Sequence, residues 1–261
     1  MATNNTSLLY SEVRGKGPTI VLIHGYLCSG SYWNNIRTKL EKNHTVITID
    51  LLGFGNSRKP KSSNYDYDEQ LTWIDRTLER IQPARPVVMA GHSMGALIAL
   101  RYSVVYPDKI SRLVLFNLPL FEGKEQARRE LARTNLLFRT SLYWRLHYLY
   151  VPILRTKYMK SLVRHFAYEK YKGMEEYMFT STGTSRDRSL HNIIEAQKAF
   201  DDLRNIAVPT TIVTGKEERQ AYVKNIEKLE KQKNIHVIFV NSAHHTPLEK
   251  PELIVEVLQQ K

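Results

Sequence analysis

The chain has 261 residues, 42% of them apolar and 25% charged, the make-up of an ordinary globular protein long enough to bury a sizeable core. Its single cysteine, Cys28, excludes an internal disulfide framework and a cysteine-built metal site. A formal net charge of +12 favours anionic partners at long range without naming one; the start carries no signal-peptide pattern and no apolar run reaches bilayer length, so a cytoplasmic protein without an integral membrane segment is expected.

Short β-branched runs alternate with longer stretches of helical periodicity. Strands are predicted at 8–13 and 19–23, joined by the turn signal Gly15-Lys16-Gly17-Pro18, then a helix at 32–40 and a strand at 45–49. A helix at 71–81, a strand at 87–90, a helix at 94–106 stopped by Pro107 and a strand at 110–116 follow. Residues 118–200 then break the rhythm: helical in pattern, rich in Tyr, Phe, Trp and Arg, with no convincing strand and roughly twice as many Lys and Arg as Asp and Glu. The alternation resumes with a strand at 210–214, a helix at 223–231, a strand at 236–240 and a helix at 251–260. Such an order predicts an α/β fold, a mostly parallel central sheet flanked by helices, built from 1–117 and 201–261 and interrupted by 118–200.

The strand ending Val88-Met89-Ala90 runs into Gly91-His92-Ser93-Met94-Gly95 and then directly into a helix. A serine on so sharp a strand-to-helix turn needs small neighbours, and its hydroxyl projects beside the positive end of the helix. It can equally serve as an N-cap, and as a nucleophile it is weak without a base from elsewhere in the chain.

Four motifs in order resemble the α/β-hydrolase superfamily: Leu22-Ile23-His24-Gly25, the loop running from Asp50 through Gly53 and Gly55 to Ser57, the Ser93 turn, and Ala243-His244-His245-Thr246-Pro247-Leu248-Glu249-Lys250-Pro251. The last is similar to the family's G-H-x-x-x-x-E-x-P pattern, with Ala243 in place of glycine. The resemblance implies Ser93 as nucleophile and His244, in preference to His245, as general base. It implies the acid in Gly215-Lys216-Glu217-Glu218, where Glu218 holds the family position and Glu217 is the alternative; Asn117, where some relatives carry the acid, cannot be an anion. It further implies an oxyanion site from the backbone N–H groups of Tyr26 and Met94, structural roles for His24 and for the loop from Asp50 to Ser57, and a helical cap (lid) over 118–200.

Within that cap, Tyr143, Trp144, Tyr148, Tyr150 and Phe166 either line an apolar pocket or form core. Arg128, Arg129, Arg133 and Arg139 either meet a substrate anion or form a solvated basic face, and Asp201 and Asp202 read as structural. No zinc motif, P-loop or dinucleotide pattern is present, so no cofactor and no metal is implied, and no nucleic-acid motif accompanies the charge. The expected partner is a small-molecule substrate, with an anionic one as an option. The leading function is hydrolysis of a small ester or related acyl compound. The alternatives are carbon–carbon bond hydrolysis or a lyase step on an anionic ketone, and ligand binding without catalysis on the same fold.

Overall fold

The computed structural model describes residues 8–133, 139–140, 142–143, 145–154, 156, 158–159, 161, 179–229 and 232–260. Seven strands among these form one sheet: β1 Ser11–Arg14, β2 Thr19–Ile23, β3 Thr45–Ile49, β4 Val87–His92, β5 Ile110–Phe116, β6 Thr210–Gly215 and β7 Ile235–Val240. Their spatial order is β1-β3-β2-β4-β5-β6-β7. Only β1 runs antiparallel to its neighbour; the remaining pairs are parallel.

The apolar runs read as continuous because both sheet faces are covered. Along β2, Ile20 and Leu22 point into one core layer, while Val21 and Ile23 point into the other, and β5 repeats this with Val114 and Phe116 against Leu113 and Leu115. The first layer is closed by α1 (Asn34–Leu40) and α9 (Pro251–Gln259) through Ile36, Leu40, Ile254 and Val257. The second is closed by α2 (Tyr67–Ile81) and α3 (Met94–Val105) through Ile74, Leu78 and Leu97.

Two departures from the sequence-based expectation have local causes. The first strand starts at Ser11 because the amides of Leu9 and Tyr10 donate to Thr77 Oγ1 (3.1 Å) and Ser57 Oγ (2.8 Å) instead of a ladder. Helix α2 starts at Tyr67, ahead of its first core leucine, because the Asp66 carboxylate accepts the Glu69 amide at 3.0 Å as an N-cap. The segment 32–40 divides into a 3-10 turn, Gly30–Trp33, and α1. The helix expected at 223–231 is α8 (Gln220–Glu227), and residues 230–231 lie outside the described residues.

Between β5 and β6 lie α4 (Lys124–Ala132), α5 (His147–Leu154), α6 (Gly183–Ser189), a wider π-type turn at Leu190–Glu195, and α7 (Ala199–Arg204). No strand occurs among the described residues of this stretch. Its ends are tied to the sheet half: Gln197 Nε2 donates to Pro119 O at 2.6 Å, Asn225 Nδ2 to Leu120 O at 2.9 Å, and the Tyr67 hydroxyl to Ile193 O at 3.2 Å. Glu195 on the π-type turn has a fully buried side chain, paired with Arg128 and Lys124 and hydrogen-bonded to His191 Nδ1. Among the described residues no helix is long and apolar enough to cross a membrane.

Candidate active site

Ser93 sits between β4 and α3 with φ 53° and ψ −118°, a backbone state that costs a non-glycine residue free energy and persists only where the surroundings enforce it. Its amide donates to Phe116 O at the end of β5 (3.0 Å). A Cβ on Gly95 would fall 2.3 Å from His24 O, and one on Gly91 2.2 Å from Gly95 O, so both flanking glycines are required by close approach. The Ser93 side chain makes no capping bond to α3, which disposes of the N-cap alternative. Its hydroxyl is turned instead toward the end of the chain.

There it meets His244: Ser93 Oγ lies 3.0 Å from His244 Nε2, and His244 Nδ1 lies 2.7 Å from Glu218 Oε1. The carboxylate fixes the tautomer, with Nδ1–H donating to Glu218 and Nε2 free to accept the serine proton. Glu218 has 3% of its side chain exposed and His244 39%, so the carboxylate is shielded while the imidazole edge faces outward. The turn after β6 separates the two candidate acids. Glu218 N donates to Gly215 O at 3.2 Å and the side chain turns inward, whereas Glu217 is exposed. His245 reaches the Tyr32 hydroxyl at 3.4 Å and belongs to the packing around the site.

Several groups hold the histidine loop in place. A Cβ on Gly215 would lie 2.2 Å from Ser242 O and 2.6 Å from Ala243 O, so the loops carrying Glu218 and His244 are pressed together at a point where only glycine fits. Asn117 Nδ2 donates to Ala243 O at 3.1 Å, and His92 Nε2 donates to His244 O at 2.8 Å. Glu249 accepts the Ala243 amide at 3.3 Å, which explains the motif glutamate. Ala243 is not among the residues with positive φ, so its replacement of the family glycine is conformationally unforced. His92 is buried against the Tyr32 ring (centroids 4.7 Å apart, stacked), and burial followed by the nearby His244 and His245 pushes its pKa well below the usual histidine value. Sequence reasoning missed His92 and Asn117 as supports; the available signal was their position at the C-terminal ends of neighbouring parallel strands, where such sheets gather their sites.

Met94 opens α3, where helix geometry supplies no internal acceptor for the first amides. The loop after β2 passes beside the serine, since a Cβ on Gly25 would lie 3.3 Å from Ser93 Cβ, and Tyr26 follows it directly. The Tyr26 hydroxyl donates to Arg186 O on α6 at 3.1 Å. His24 is buried, its pKa lowered by burial; Nδ1–H donates to Gly25 O (2.7 Å) and Nε2 accepts the Leu51 amide (3.0 Å). Asp50 receives the amides of Gly30 (2.5 Å) and Asn56 (2.6 Å), while Ser57 Oγ donates to its carbonyl (2.5 Å). Both therefore shape the loops beside the serine. Cys28, two residues beyond Tyr26, is 2% exposed, and burial pushes its thiol up to about 12.

The remaining candidates are dispersed. Tyr143 is 54% exposed and Tyr148 43%, its hydroxyl donating to Asp187 at 3.2 Å, while Tyr150 is half-buried; Trp144 and Phe166 lie outside the described residues. Arg128, itself partly exposed, pairs with the buried Glu195, Arg129 and Arg133 approach Glu130 at 3.9 and 3.1 Å, and Arg139 is exposed. Asp202 pairs with Arg101 at 3.1 Å, and burial raises its carboxyl to about 6; Asp201 meets Arg204 at 3.4 Å.

A family model described as alpha/beta hydrolase fold matches residues 18–251. Over 121 residues the chain is 32% identical to the pimeloyl-[acyl-carrier protein] methyl ester esterase of Aliivibrio fischeri, covering 46% of this chain and 44% of that protein. Over 123 residues it is 29% identical to the cis-3-alkyl-4-alkyloxetan-2-one decarboxylase of Shewanella oneidensis, covering 46% and 38%. The matches thus span less than half the length of these curated relatives. An esterase from Exiguobacterium antarcticum superposes with a TM-score of 0.73 at 21% identity, covering 96% of this chain and 93% of that one, a likeness of fold. With a seven-stranded, mostly parallel sheet and a family match over nearly its whole length, the chain belongs to the α/β-hydrolase fold family.

Proposed function

We propose that the chain is a serine hydrolase that cleaves a small ester or related acyl compound through an acyl-enzyme on Ser93. The observation that carries this reading is the relay from Ser93 Oγ to His244 Nε2 (3.0 Å) and from His244 Nδ1 to Glu218 (2.7 Å). His244 takes the serine proton as Oγ attacks the acyl carbon, then returns it to the leaving alkoxide; water repeats the sequence on the acyl-enzyme and frees the acid. Glu218 orients the imidazole and compensates the charge it gains, while the backbone amides of Met94 and Tyr26 receive the tetrahedral oxyanion. The helices within 118–200 act as a cap, its contact with the oxyanion loop being the bond from Tyr26 to Arg186. Similarity to a methyl ester esterase supports the substrate class, and the protein is read as cytoplasmic.

A second reading, a lyase step that breaks a carbon–carbon bond in an oxo substrate, is favoured by the similarity to an oxetanone decarboxylase. A panel of nitrophenyl esters of increasing acyl length, assayed with the native chain and Ser93→Ala, separates the two. Turnover of short esters that the substitution abolishes is expected. Equal turnover by both proteins removes Ser93 as nucleophile, and activity on a β-lactone or dienone without ester turnover favours the lyase. Binding with no turnover of either class leaves a receptor on a hydrolase fold.

A further inference from the structure

Among the described residues, large apolar side chains left well exposed gather in one short stretch: Tyr143 (54%), Tyr148 (43%), Leu149 (69%), Ile153 (57%) and Tyr158 (89%), with Val105 (49%) the exception elsewhere. Three of them lie on α5, where Tyr148, Leu149, Pro152 and Ile153 share one side of the helix and all face solvent. Val151, on the other side, is 2% exposed and anchors the helix, which packs on α6 beside Gly183. An exposed apolar face of this kind on a water-soluble surface marks an interaction site.

The charge of the sequence flanking it selects the partner. Residues 131–168 contain seven Lys or Arg and no Asp or Glu. Arg139 is exposed, and Arg145, though 3.5 Å from Asp187, keeps 62% of its side chain exposed. A helix with an apolar face, tyrosines whose rings suit an interface and flanking cations has the signature of a segment lying in the plane of an anionic bilayer. A protein partner would need matching charges in fixed register, whereas a fluid anionic surface needs only the single sign seen here.

We propose that α5 and its flanks dock on an anionic lipid surface, with Leu149 and Ile153 entering the acyl boundary and Arg139 and Arg145 meeting headgroup phosphates. The inference stands apart from the hydrolase reading and is tested with Ser93→Ala, so that no lipid turnover intrudes. Co-sedimentation with phosphatidylcholine vesicles containing about 30 mol% phosphatidylglycerol should retain the protein, with binding at least about tenfold stronger than to phosphatidylcholine alone. Raising salt from roughly 0.1 to 0.5 M should weaken that binding severalfold. Combining Leu149→Asp with Ile153→Asp should reduce binding about tenfold or more, and Arg139→Glu at least about fivefold, with thermal melting unchanged because these side chains are exposed. Failure to bind the anionic vesicles, or undiminished binding by the double variant, overturns the proposal. So does a dimer in size-exclusion chromatography that the double variant dissolves without any vesicle binding, since the face would then belong to a second copy. Binding to duplex RNA lost in Arg139→Glu but kept in the double variant, with no vesicle binding, would assign the charge to nucleic acid and overturn it equally.

Discussion

The rim of the sheet and the helical stretch between β5 and β6 solve the same problem, placing polar groups inside a fold, in opposite ways. At the rim, the backbone that carries the site is pinned at fixed points: the Ser93 amide by Phe116 O, and the His244 loop by its close approach to Gly215 and by the Asn117 and His92 side chains bonded to its carbonyls. In the helical stretch, charge holds charge, with Glu195 buried among Arg128, Lys124 and His191, while apolar side chains face water. Backbone contacts fix distances to fractions of an ångström, as a proton relay demands. Long ion-paired side chains tolerate movement, which suits a surface that admits substrate or meets a partner.

The sharpest test of this contrast is Ser93→Ala, expected to lower kcat on a short nitrophenyl ester by ~10^4-fold or more while leaving the fold intact. Next, Glu218→Gln should lower kcat by about 10^3- to 10^4-fold, since a neutral amide neither fixes the imidazole tautomer nor compensates its charge. Glu217→Gln, at an exposed position, should stay within about twofold, and a reversed order would undo the acid assignment.

Smaller effects should follow from the groups that hold the loop. His92→Asn should reduce kcat about tenfold with KM little changed, because the shorter amide falls short of the His244 carbonyl that Nε2 holds. The same substitution tests a pH effect. Burial holds the His92 pKa well below the usual value, so below pH about 6.5 the unfolded chain takes up a proton that the native state refuses. Stability is then full above that pH and falls as the medium becomes more acid, by up to about 1.4 kcal/mol per pH unit for this group. His24 acts in the same direction. Urea midpoints at neutral and mildly acid pH should show a shallower decline in His92→Asn than in the native chain. Arg128→Met, in the helical stretch, should act on stability more than on the site. Glu195 keeps Lys124 and His191, so the expected loss is about 1–2 kcal/mol of stability with ester turnover changed by less than about threefold. A collapse of turnover would mean that the helical stretch supports the relay as rigidly as the sheet does.

What could be read from the sequence follows the same divide. The strands and the Ser93 turn are local patterns, so the short apolar, β-branched runs of β2 and β5 and the paired glycines announce them. The choice between Glu217 and Glu218 depends on how the turn from Gly215 folds, which residue spacing alone leaves open. His92 and Asn117 were illegible as supports because the carbonyls they hold belong to residues 152 and 126 positions away. In 118–200 the arginine pattern left a substrate anion and a solvated basic face as the choices, yet Arg128 answers a carboxylate 67 residues later, a pairing that only the tertiary fold creates.

The lone thiol has a practical use. Cys28 lies in the same loop as Tyr26, sealed from solvent and poorly ionised, so alkylating reagents should reach it only when that loop opens. Its labelling rate is a built-in clock for breathing beside Ser93. Slower labelling in the presence of a bound substrate analogue would show directly that occupancy tightens the strand-to-loop junction.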